Sequence, residues 1–176
     1  MVYLSALIVC IHFLFLSFRN SFSLWNDVIE KYPDEAVAYY NRGKVYESQE
    51  KYDQAVEDYT QAIKLNPKLL RCYVGRAIIN YKRGQYNNEL ADLNTAIGGY
   101  ESAPSLSYFS FDDQVIAATA YMNRAIVNNI GGNPQSALKD LTRAMQIDSF
   151  YPPIRLNLGL VYATLGNTAQ AITQFD

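Results

Sequence analysis

Beyond residue 35 the apolar positions recur as short helical stripes in pairs, and small residues return between them at fixed places. In "YYNRGKVYESQEKYDQAVEDY", residues 39–59, Gly43 stands mid-run, where a helix favours alanine. Ala55 stands among larger neighbours, and Tyr46, Tyr52 and Tyr59 flank the two. Sliding the chain by 34 residues lays Gly43 on Ala77, Tyr39 on Tyr73, Tyr52 on Tyr86 and Ala62 on Ala96. A further slide of 48, which is 34 plus a 14-residue insertion, reaches Tyr121, Ala125, Ala137, Leu141 and Ala144. Another 34 reaches Gly159, Ala171 and Phe175. A period of this length marks stacked helical hairpins. The pattern predicts an all-α chain with units at 36–69, 70–103, 118–151 and 152–176, the last stopping at repeat position 25.

Each predicted unit is two amphipathic helices joined by a short turn. Position 8 on the first helix faces position 20 on the second, and both are small so that the backbones approach closely. Position 27 is small for contact with the next unit, and large side chains at 4, 11, 17 and 24 fill the space around these contacts. Pro67, at position 32, cannot continue a helix and sets a unit boundary. One hairpin buries too little apolar surface alone, so stacking supplies the continuous core. Upstream, Trp25, Val28 and Pro33 fall on positions 24, 27 and 32, and residues 19–35 therefore read as a linker and the second helix of a degenerate earlier unit.

Several positions depart from the pattern. Glu89 occupies the small position 20, which predicts a looser second unit or a shifted register. Pro134 takes the place of the large residue at 17, where a first-turn proline is tolerated. Asn80 and Asn128 stand at position 11, and Ser149 at 32. The insertion "GGYESAPSLSYFSFDDQ" opens on two glycines expected to stop a helix, and Asp112 is the expected N-cap of the next one. Tyr108, Phe109 and Phe111 are too apolar for a free loop, so segment 104–117 is expected to fold back onto the repeats, on the concave side.

The small residues at 8, 20 and 27, the aromatic or aliphatic residues at 4, 11 and 24, and Pro67 resemble the tetratricopeptide repeat family. The resemblance covers 36–176 and is most specific in 36–69. It implies a right-handed superhelix of antiparallel helix pairs whose first helices line a concave face through positions 2, 5, 9 and 12. In the first two units these are Val37, Tyr40, Lys44 and Glu47, then Arg71, Val74, Ile78 and Tyr81. The third unit gives Thr119, Met122, Ile126 and Asn129, and the fourth Leu156 and Leu160. Tyr40, Lys44, Arg71, Val74, Ile78, Tyr81, Met122, Ile126 and Asn129 are the candidate partner groove. Such an apolar groove buries an extended peptide or the apolar face of a helix; the alternative is that the chain covers these positions itself. Family members that hold chaperone C-terminal carboxylates use a Lys and Asn clamp. Tyr40, Lys44 and Gly75 do not reproduce it.

Position 7 reads Arg42, Arg76, Arg124 and then Leu158; position 23 reads Asp58, Asp92, Asp140 and then Gln174. Arginine and aspartate are present together in three units and absent together in the fourth. This predicts a structural ion pair between the two helices of one unit, against the alternative that both face solvent separately.

Charge and composition exclude several function classes. The net charge of −2 gives no electrostatic case for nucleic acid. Residues 36–103 carry 17 charged side chains and residues 104–176 only 9, leaving more uncharged surface in the second half. Cys10 and Cys72 make no metal or redox spacing, and His12 is the one histidine. No phosphate loop, G-x-S-x-G or paired-carboxylate motif occurs, so no catalytic residue, metal or cofactor is expected.

Residues 1–18, "MVYLSALIVCIHFLFLSF", carry no charge, and Arg19 ends the run. As a helix they would span about 27 Å, close to the ~30 Å hydrocarbon core of a bilayer. An apolar, membrane-spanning N-terminal helix is the favoured reading, with a signal peptide and a helix capping a soluble core as alternatives. The resulting expectation is a membrane-anchored, non-catalytic scaffold for a protein or peptide partner, with the side of the membrane open. The alternative rests on "SFRNSFSLWNDVIEKYPDEAVAYYNRG", which looks like the junction where the last span of a multi-span protein runs into a tetratricopeptide tail. Some such proteins resemble membrane glycosyltransferases. The chain would then be a fragment, with the chemistry upstream.

Overall fold

The computed structural model describes residues 21–105 and 109–175. Among them every regular element is helical: α1 over 21–31, α2 Ala36–Ser48, α3 Tyr52–Leu65, α4 Leu70–Lys82, α5 Tyr86–Glu101, α6 Phe111–Ile130, α7 Pro134–Ile147, α8 Pro152–Thr164 and α9 Thr168–Phe175. They fall into two compact bodies, Met1–Cys72 and Tyr73–Asp176. In the first, α2 packs on α3, and Phe22 of α1 sets its ring edge-on against Tyr46 at 5.3 Å. In the second, α6 packs on α7, α8 on α9, α5 on α6 and α7 on α8. The apolar run at 1–18, with Cys10 and His12, lies outside the described residues, as does Tyr108. No helix among the described residues is long and apolar enough to cross a membrane.

All four hairpin turns use one device at repeat position 15. Gly84, Gly132 and Gly166 there have φ of 71°, 79° and 76°, and Glu50 has φ of 58°. The left-handed residue lets the next amide bond back to the carbonyl at position 11. These bonds run from Lys51 to Tyr46, Gln85 to Asn80, Asn133 to Asn128 and Asn167 to Tyr162, at 2.8–2.9 Å. Three turns use glycine because a Cβ strains this backbone; Glu50 adopts it with a full side chain.

Gly43 marks a close approach of α2 to α3 in the first body. A Cβ there would sit 2.8 Å from Cε1 and 2.9 Å from Cδ1 of Tyr59, and 3.4 Å from the Ala55 carbonyl oxygen. The ring cannot retreat, because Tyr59 is fully buried and its hydroxyl donates to Glu47 Oε2 at 2.7 Å. Burial first, then Glu47, pushes the phenol's pKa well up, which keeps it a donor. The repeats show the same compromise in sequence. Glycine at position 8 goes with an aromatic at 24 (Gly43 with Tyr59, Gly159 with Phe175), and alanine goes with leucine (Ala77 with Leu93, Ala125 with Leu141). Gly43→Ala is therefore expected to destabilise the fold by about 1–3 kcal/mol, although alanine is the better helix former. Gly43→Ala with Tyr59→Leu should recover most of that loss in urea unfolding; a double variant no better than the single one would refute the steric account.

Four local expectations need correcting. The glycine pair does not stop α5, which runs through Gly98 and Gly99 to Glu101. Packing overrides propensity here: Tyr100 is 3% exposed and its ring meets Phe109 edge-on at 4.9 Å. The N-cap of α6 is Ser110, not Asp112. Its hydroxyl oxygen accepts from the Asp113 amide at 3.2 Å while its O–H donates to Asp113 Oδ2. In the insertion Phe109 packs on the end of α5, whereas Phe111 is 77% exposed on the first turn of α6. Finally, Glu89 does not shift the register of its hairpin. It stays inside at 1% exposure, and the Arg76–Asp92 pair keeps the geometry found in the other units.

Candidate functional site

Each position-7 arginine reaches across its own hairpin to the position-23 aspartate through two parallel bonds. Arg42 donates from Nε and Nη2 to Asp58 at 2.8 and 2.7 Å, and Arg76 to Asp92 at 2.8 and 2.7 Å. Arg124 does the same to Asp140 at 2.9 and 2.7 Å. The aspartate side chains are 6–9% exposed and the arginines 21–23%. The planar fork matches a carboxylate, and its face is used as well. Each guanidinium lies over the position-4 tyrosine of its own helix, Tyr39, Tyr73 or Tyr121, at 5.6–5.9 Å. The aspartate hydrogen bond raises the pKa of Arg42 and of Arg124 against the lowering effect of burial.

A third leg was missed in the sequence. Arg42 Nη1 donates to Asn26 Oδ1 at 2.8 Å, and Arg124 Nη1 to Asn94 Oδ1 at 2.9 Å. Both asparagines occupy position 25 of the preceding unit's second helix, so one guanidinium ties three helices together. The Asn26–Arg42 bond also ties α1 to α2 in the first body. Asn128, at position 11, donates to Asp140 Oδ2 at 3.3 Å and joins the same network.

The candidate groove residues are in different states. In the first body Tyr40 lies against Arg71 at 5.4 Å and Tyr59 at 6.0 Å, and Lys44 pairs with Glu47 at 3.2 Å. In the second body Val74 and Met122 are 3% and 8% exposed, so they belong to the core and not to an open surface. Met122 stands on α6, which packs against α5 and α7. Ile78, Ile126 and Asn129 are half-buried. The amide oxygen of Asn129 is buried without a hydrogen-bond partner. Tyr81 at 38%, Leu156 at 53% and Leu160 at 48% remain exposed. Leu156 and Leu160 lie one turn apart on α8. No charged side chain occupies these positions of the second body.

Residues 36–69, which hold Gly43, Ala55, the Arg42–Asp58 pair and the left-handed turn, match the sequence pattern of the tetratricopeptide repeat. Human serine/threonine-protein phosphatase 5 is 32% identical over 80 residues, which is 46% of this chain and 16% of that protein. A Hordeum vulgare protein, the probable UDP-N-acetylglucosamine–peptide N-acetylglucosaminyltransferase SPINDLY, is 24% identical over 164 residues, or 90% of this chain and 16% of that one. The chain thus spans about one sixth of the length of these curated relatives. Among solved structures, the first tetratricopeptide domain of Spaghetti (RPAP3), bound to an HSP90 peptide, superposes with a TM-score of 0.63 at 20% identity. The match covers 75% of this chain and 94% of that one. The fold is an all-α, tetratricopeptide-type helical repeat.

Proposed function

We propose that the chain is a non-catalytic scaffold that binds a peptide or a helix through the first-helix face of its second body. The observation that carries this reading is the pair of exposed leucines on α8, Leu156 and Leu160, beside positions that carry no charge. Apolar side chains standing out of a repeat surface are suited to a partner's apolar face. The tetratricopeptide fold supports the reading, since a domain of this fold holds a peptide in a solved structure. Tyr81 and the half-buried Ile78, Ile126 and Asn129 complete the proposed surface. Leu156→Asp with Leu160→Asp should leave the helical melting curve unchanged, because both residues are exposed. It should cut the proteins recovered by affinity purification at least tenfold relative to the unmutated chain. Unchanged recovery by the folded variant would overturn the proposal.

Membrane association belongs to the same proposal and rests on the uncharged run at 1–18. Deleting residues 1–18 is expected to move the protein from the membrane pellet to the supernatant; equal pelleting of both forms would refute it.

A second reading is that the chain is the repeat tail of a larger enzyme resembling a membrane glycosyltransferase. The similarity to the SPINDLY transferase, which runs over 90% of the chain, favours a link to glycosyl transfer. Further hydrophobic spans encoded in frame before Met1 are expected on this reading, and a ribosome-binding site directly before Met1 would exclude it.

A further inference from the structure

In the second body the turn between α4 and α5 leads into a thinly anchored helix start. Residues 81–88 are all exposed, and Glu89, 1% exposed, is the first buried side chain after them. Tyr86, which opens α5, is 44% exposed, whereas its counterparts in the first and third hairpins, Tyr52 and Pro134, are half-buried. Gln85 caps α5 without a side-chain hydrogen bond. Apart from backbone bonds, the first turn of α5 is therefore held from within by one side chain, and that side chain ends in a carboxyl. We propose that Glu89 is a proton-controlled latch on this turn. Protonated, it keeps the start of α5 on the hairpin; ionised, it leaves for water and releases residues 84–89 together with the Tyr81–Tyr86 ring contact.

A carboxyl in this place is at ease only while neutral, because burial opposes its charge and no neighbouring charge offsets that. The ionisable groups of the surrounding helices are engaged elsewhere. Arg76 of α4 holds Asp92 of α5 and lies over Tyr73, and Arg124 of α6 holds Asp140. Tyr121 of α6 donates to Glu101 of α5, Tyr100 meets Phe109, and Tyr81 and Tyr86 turn to each other at 5.9 Å. Lys82, Arg83 and Asp112 are exposed, and Asp113 accepts from Ser110. One oxygen of the Glu89 carboxyl is left buried with no hydrogen-bond partner. In water the group ionises near pH 4.5, whereas burial holds its proton to about pH 7. Between those values each rise in pH favours the open turn, and above pH 7 the gain levels off because the closed form ionises too. Exposed flanking residues make unwinding here less costly than opening the whole body. The other three hairpins have alanine at this position and no proton to lose. Tyr81 also belongs to the surface proposed for a partner, so the latch would set one edge of it; that consequence rests on the docking proposal, and the latch itself does not.

Amide hydrogen exchange of the full chain, read residue by residue by NMR at pH 5 and pH 7 and corrected for the intrinsic rate, tests this. The reporters are the Gln85 amide, which donates to the Asn80 carbonyl at 2.8 Å, and the Glu89 amide, which donates to the Gln85 carbonyl at 3.2 Å. Leu141, buried in the middle of α7, reports opening of the whole body. Gln85 and Glu89 are expected to lose protection about tenfold or more from pH 5 to pH 7, and at pH 7 to be at least about tenfold less protected than Leu141. Glu89→Ala, which copies the packing of Ala55 and Ala137, should keep the turn closed at both pH values, and Glu89→Gln should remove the pH dependence. The proposal is overturned if protection of the two reporters does not change with pH, or if it falls as much in Glu89→Ala. It is overturned equally if they stay as protected as Leu141, which would make Glu89 a burden on the whole body and not a latch on one turn. No partner enters these readings, so failure of the docking proposal leaves them intact.

Discussion

Replacing Arg124 with leucine is expected to cost about 3 kcal/mol of folding stability in urea unfolding, and replacing Asp140 with glutamine as well should recover most of it. The single substitution leaves the Asp140 carboxylate at 5% exposure with one weak partner, the Asn128 amide at 3.3 Å. A buried charge stripped of its counter-ion is the costly state, and breaking such pairs typically costs about 3–5 kcal/mol. The lower end applies because 23% of the Arg124 side chain is open to solvent. The double substitution copies what the fourth hairpin already contains, Leu158 at 6% exposure with Gln174. A coupling energy indistinguishable from zero would mean that the pair is a bystander. Arg124→Lys should not rescue, since a single ammonium cannot reproduce the two parallel bonds, the bond to Asn94 and the ring contact together.

Glu89→Ala is expected to stabilise the protein, and by more as pH rises. Glu89 is 1% exposed, one carboxyl oxygen has no hydrogen-bond partner, and burial alone pushes its pKa from the ordinary 4.5 to about 7. The folded chain therefore holds the Glu89 proton more tightly than the unfolded chain. Below pH 4.5 the acid is neutral in both states and costs nothing by ionisation. Between pH 4.5 and 7 the unfolded state gains the freedom to ionise and the folded state does not, so stability falls across that window and levels off above it. At about 1.4 kcal/mol per unit the difference amounts to roughly 3 kcal/mol. The other three units place Ala55, Ala137 and Ala171 at this position, all buried, so the replacement matches a packing the fold already uses. Urea unfolding at pH 4.5 and pH 8 should show the advantage of Glu89→Ala growing by about that amount. An advantage that does not change with pH would show that Glu89 ionises freely in the folded state.

The hairpin plan was legible because four copies of one pattern stand in the chain, and copies expose spacing. The 16-residue step from arginine to aspartate could be read because both types vanish together at Leu158 and Gln174. The third bond of the same guanidinium could not. Asn26 precedes Arg42 by 16 residues, but the insertion stretches the Asn94–Arg124 separation to 30. Two unequal spacings do not look like one contact. The glycine pair misled because propensity is a local quantity and Tyr100, which is buried through its neighbours, is not. Val74 and Met122 misled for a related reason. A repeat position says which way a side chain leaves its helix, but not how much of it the adjoining helices then cover. Glu89 was recognisable as an exception, yet nothing in the sequence says whether such a residue swings out or is swallowed.

The fourth hairpin has lost its charged rivet and keeps Leu158, Val161 and Ile154 buried in its place. Salt screens such partly buried ion pairs only weakly, whereas apolar burial weakens as the temperature falls. Cold therefore removes a larger part of what holds the uncharged hairpin than of what holds the guanidinium-tied ones, and the uncharged hairpin is expected to loosen first on chilling.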